Sequence, residues 1–138
     1  MIGVIDTEGD CAEWNFPADP GAVRTARAVV REQLRDWGLA SLGDIAALLV
    51  SELVTNSLRH ASGPIGVRLV RPADPVGALL VEVSDPLPDP PQERAAGLDD
   101  EGGRGIQLVA RSSRRWGTRP GRTGKTGKTV WFELVLPG

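Results

Sequence analysis

Four groups of residues in this 138-residue chain have types and spacing that could do chemistry. The first is Glu52, Asn56 and His60, which steps of four residues line along one side of a helix. A carboxylate bordered by Leu49 and Leu53 can serve as a general base. An amide oxygen one turn on can hold Mg2+, a hard ion that prefers oxygen ligands. The plain alternative is a solvated helix face, with His60 a helix-end residue suited to the dipole there. The second is Asp85, at the exit of the apolar run Ala78–Ser84. Its carboxylate only accepts hydrogen bonds, which suits the exocyclic amine of an adenine; an Asp before Pro86 is also an ordinary turn opener. The third is Gly102-Gly103-Arg104-Gly105, immediately before a helix expected from Ile106. Glycines allow close backbone approach, a helix N-terminus offers unpaired N–H groups to phosphate, and Arg104 can add a charge-assisted contact. The same residues also suit a flexible turn. The fourth is Gly121–Thr129, which contains G-K-T but is no Walker loop: position 122 is Arg where glycine is required, and a strand follows. Either glycine-lysine pair could touch phosphate, but a solvated hairpin turn is the simpler explanation.

These groups need elements to hold them. Residues 21–37 read as a helix, with Ala22, Ala26, Val30, Leu34 and Trp37 as its apolar stripe. Arg24, Arg27, Arg31 and Arg35 form a second stripe, either a solvated face or a partner surface. A second helix is expected over about 42–61, with Ser41 and Asp44 as a capping-box start. Ile45, Leu48, Leu49, Leu53 and Leu58 would supply its buried side. Strands are expected at Glu13–Phe16, Ile65–Val70, Ala78–Ser84, Trp116–Arg119 and Thr129–Leu136. Between 85 and 105 prolines and glycines leave no period, and loops of that length are often functional. The order predicts an α+β protein, an α/β sandwich: a mixed, mainly antiparallel sheet with helices packed on one face. Residues 1–12 read as a loose tail and 13–138 as one domain.

Composition narrows the function classes. Net charge is −2 and the apolar share 41%. A near-neutral balance argues against a domain that coats nucleic acid. One Cys and one His exclude a Cys/His zinc cage and an internal disulfide. No run approaches a membrane span, and the N-terminus lacks a signal-peptide pattern. A cytoplasmic protein is expected.

Taken in order, the E-x-x-x-N helix, the hairpin, Asp85, the long loop, G-G-R-G and the Thr-bearing last strand resemble the GHKL ATPases. Within that superfamily the chain is most similar to stand-alone anti-sigma factor serine/threonine kinases. The segments that carry the likeness are S-E-L-V-T-N-S-L-R-H-A (51–61), G-R-G-I-Q-L-V followed by W-G (103–117), and G-K-T-V-W-F-E-L (127–134). The resemblance spans about residues 13–136. It implies a Bergerat ATP-binding fold with ATP and Mg2+ as ligands. It makes Glu52 the catalytic base and Asn56 the Mg2+ ligand. Asp85 would bind the adenine amine, with Thr129 near the adenine, backing it. Gly103, Arg104 and Gly105 would hold phosphate, and residues 86–101 would form a lid. His60 receives no role. The implied activity is phosphorylation of an anti-anti-sigma protein, with competitive binding of a sigma factor and homodimerisation. In one place the sequence departs from the superfamily: the first glycine box, D-x-G-x-G, reads D-P-L-P-D from Asp85 to Asp89. Proline there stiffens the chain. The alternative is a non-catalytic partner-switching module with weak or no ATP binding.

Overall fold

The computed structural model describes residues 3–6, 11–60, 63–72, 77–86, 101–120 and 127–137, with the backbone alone for 3–6, 60 and 101–105. The strands are β1 (Gly3–Asp6), β2 (Cys11–Phe16), β3 (Ile65–Val70), β4 (Ala78–Asp85), β5 (Arg115–Pro120) and β6 (Lys128–Val135). The helices are α1 (Gly21–Asp36), α2 (Gly43–His60) and α3 (Glu101–Ser112). The sheet runs β1-β2-β3-β4-β6-β5. Every pairing in it is antiparallel, so the sheet expected to be mixed is wholly antiparallel among the described residues. The fold class is α+β.

Period-two burial shows why these segments are strands. Trp14 and Phe16, Val67 and Leu69, Val81 and Val83, and Phe132 and Leu134 all turn to one buried side. α1 packs on β2, α2 on β3 and β4, and α3 on β5, with α2 between the other two helices. α1 buries the expected stripe, Ala22, Ala26, Val30 and Leu34, and exposes Arg24, Arg27, Arg31 and Arg35. Each large apolar side chain so buried contributes about 1.5–3 kcal/mol.

α2 is enclosed more completely than an amphipathic reading foresees. Ala46, Ala47, Leu49, Val50, Leu53 and Val54 are all buried, while Leu48, expected in the core, is 42% exposed. Contact with two helices and the sheet widens the buried arc, and Leu48 falls in the gap that remains. The expected capping box does not form. Ser41 lies inside a 3-10 turn, Ala40–Leu42, that runs straight into α2 at Gly43.

Two other boundaries move. β1 lies in the segment expected to be a loose tail, where it pairs antiparallel with β2, and β2 itself starts at Cys11. α3 starts at Glu101 rather than Ile106, so Gly102–Gly105 are inside its first turns. Ile106 and Val109 anchor that helix in the core. Glycines cost only about 1 kcal/mol each in a helix, which such anchoring offsets. No helix among the described residues is long and apolar enough to cross a membrane.

Candidate functional site

The site forms where α2 meets the end of β4. β4 delivers Asp85 to the helix-covered face, 7% exposed. Ser57 of α2 donates from Oγ to Asp85 Oδ2 at 2.7 Å. From the neighbouring strand, Lys128 Nζ donates to Asp85 Oδ1 at 3.1 Å and to Oδ2 at 2.9 Å. Antiparallel register sets Lys128 directly across from Asp85. The carboxylate is therefore held by a helix hydroxyl and a strand ammonium at once.

The backbone around Asp85 is pinned by two glycines. Gly127 has φ +94°, and a Cβ there would lie 2.4 Å from the Asp85 carbonyl oxygen. Gly63, between α2 and β3, would put a Cβ 2.8 Å from Pro86 Cγ. Glycines on two neighbouring segments, Gly63 and Gly127, thus come within contact of Pro86 and Asp85, an approach that a side chain would block.

Glu52 and Asn56 stand one turn apart on α2, both half-buried. Glu52 has no hydrogen-bond or ion-pair partner among the described residues. Ser57 follows Asn56 directly and contacts Asp85. Five residues of helix, about 7.5 Å of rise, therefore connect Glu52 to the Asp85 end of the site.

Thr129 lies elsewhere than beside the Asp85 carboxylate. Successive strand residues face opposite ways, so with Lys128 on the helix side, Thr129 turns to the other face. Its hydroxyl shares a 2.7 Å hydrogen bond with Ser84, the residue before Asp85. It steadies β4 from behind. Gly103, Arg104 and Gly105 lie in the first turns of α3, which packs against α2. The lid expected at 86–101 falls, from 87 to 100, outside the described residues, as does the side chain of His60.

Residues 16–134 match the histidine kinase-like ATPase domain. The chain belongs to that family. Among curated proteins, none matches the chain. Membership in the histidine kinase-like ATPase family implies ATP binding and connects the chain to ATP-dependent phosphotransfer in general. It accords with a covered sheet face that ends in a buried carboxylate.

Sequence reasoning missed Ser57 as a site residue and did not pair Lys128 with Asp85. Ser57 had a readable signal: it falls seven residues after Val50, on the buried line of α2. Lys128 had none, because strand register is not written in the strand itself.

Proposed function

We propose that this protein is an ATP-dependent serine/threonine protein kinase of the anti-sigma factor type. It would phosphorylate an anti-anti-sigma protein and bind a sigma factor. The observation that carries the nucleotide reading is the buried Asp85 carboxylate, fixed by Ser57 and Lys128 at the mouth of α2. An adenine amine is the donor that such a carboxylate would take. Asn56 offers an amide oxygen for Mg2+, and the half-buried Glu52 beside it suits a general base. The donor set suits Mg-ATP: an amide oxygen for the ion, a carboxylate for the base, and a helix N-terminus for phosphate.

In the transfer, the serine or threonine hydroxyl oxygen of the substrate protein bonds to the γ-phosphorus as the bond to ADP breaks. Glu52 accepts the hydroxyl proton. Asn56 would hold Mg2+, which would supply positive charge against the phosphates, and Gly103, Arg104 and Gly105 at the start of α3 would orient them. Such catalysis is mostly positioning and charge neutralisation. Thr129 supports Asp85 through Ser84. The exposed arginines of α1 give a cationic surface for the protein partners, and a homodimer completes the proposal.

Glu52→Ala tests the catalytic role. It should keep ATP affinity in calorimetry and lose labelled-phosphate transfer to the substrate protein; unchanged transfer would remove Glu52 from that role. One observation favours a second reading, a partner-binding module with weak or no ATP binding: Asp85 already carries the Lys128 ammonium. Titration of the whole chain with Mg-ATP separates the two. Binding supports the kinase, and no binding at millimolar ATP supports the module.

A further inference from the structure

We propose that Lys128 is a specificity-determining residue for the nucleobase. Its ammonium is a hydrogen-bond donor set beside the Asp85 acceptor, and the pair matches the Watson–Crick edge of adenine. This rests on the reading of Asp85 as the acceptor for the adenine amine.

The lysine is built into the site. Its side chain is 11% exposed and that of Asp85 2%. Strand register sets the two residues opposite each other, and the left-handed Gly127 beside Lys128 lies against the Asp85 carbonyl. A buried ion pair is by itself a weak source of stability, because desolvation offsets the attraction. Stability alone therefore does not account for a lysine here.

The donor count points the same way. An ammonium has three N–H donors. Two contacts go to Asp85, and Lys128 has no other partner among the described residues. Adenine presents a donor, the N6 amine, next to an acceptor, N1. A carboxylate satisfies the first and leaves the second unpaired. The nearby hydroxyls are engaged: Ser57 donates to Asp85, and Thr129 is bonded to Ser84 on the other face. The remaining Lys128 proton is the donor for N1. Guanine in the same pose would set O6 against the carboxylate and N1–H against the ammonium, acceptor on acceptor and donor on donor. The pair thus selects adenine and rejects guanine.

The test is calorimetry on the full chain with Mg2+ and three probes: ATP, 1-deaza-ATP (a C–H in place of N1) and GTP. Wild type should bind 1-deaza-ATP about ten- to a hundredfold more weakly than ATP, the range for a hydrogen bond to a charged group. Lys128→Met should bind ATP and 1-deaza-ATP alike, and should discriminate less against GTP. Lys128→Gln, which keeps an N–H donor, should restore part of the difference. Equal binding of ATP and 1-deaza-ATP by wild type overturns the proposal without any variant. Tighter ATP binding by Lys128→Met also overturns it, since Lys128 would then be a competitor for Asp85. If wild type binds ATP but Asp85→Asn binds it equally well, or if wild type binds no nucleotide, the reading of Asp85 itself fails.

Discussion

Asp85 shows how a buried carboxylate is held from two elements at once. Its charge is balanced by Lys128 and oriented by Ser57, all three groups being buried. Removing one partner of such a pair strands the other in a poorly solvated place. Asp85→Asn should therefore cost about 3–5 kcal/mol, read as a lower urea midpoint. Asp85→Asn combined with Lys128→Met should recover most of that loss, since no unpaired charge remains. Equal instability of single and double variants would show that the pair is not the source. Glu52 contrasts with Asp85. It is half-buried and has no hydrogen-bond or ion-pair partner among the described residues.

At the scale of elements, the site is a junction of strand ends and one helix. β4 and β6 carry the ion pair across their shared register, and α2 brings Ser57 down upon it. Gly127 is the tightest joint, with φ +94° and Asp85 O where a side chain would begin. Gly127→Ala should destabilise the protein by about 1–2 kcal/mol from backbone conformation alone. It should lose more from contact with the Asp85 carbonyl. Chemical denaturation gives the total, and, on the proposed nucleotide reading, a calorimetric drop in ATP affinity should accompany it, because the start of β6 would move off Asp85. Wild-type stability in this variant would mean that Gly127 is not constrained. The glycine-rich start of α3 obeys another logic: Ile106 and Val109, buried one turn later, hold glycines in helical form that would favour a turn on their own.

On the scale of the whole molecule, the sheet divides the labour between its faces. The helix-covered face holds the core and the Asp85 site. The other face carries an ion cluster: Glu82, 1% exposed, meets Arg68 Nη1 at 2.9 Å and also Arg119. Arg68 Nε donates to Cys11 Sγ at 3.2 Å. Arg119 is on β5, an edge strand, so its contact with Glu82 reaches across β6 to β4. Glu82→Gln should cost about 1–3 kcal/mol, at the low end because the arginines are partly exposed and screened. Hydrogen exchange should rise most in β5, which among the described residues pairs only with β6. Uniform change along all strands would rule out that coupling.

The sequence by itself determined the α+β class, the α1 stripe and the β3–β4 hairpin, because helical and strand periods are local and survive without context. It also marked Glu52, Asn56 and Asp85, since their residue types and spacing suit general-base, metal and amine chemistry. Tertiary structure decided what those periods do not encode. Enclosure by two helices and a sheet exposed Leu48 in place of its neighbours. Burial of Ile106 and Val109 drew Gly102–Gly105 into α3. Most of all, register across β4 and β6 set Lys128 against Asp85 and turned Thr129 away. A shift of one residue inverts which side chain meets the site, and only the pairing of distant strands fixes that choice.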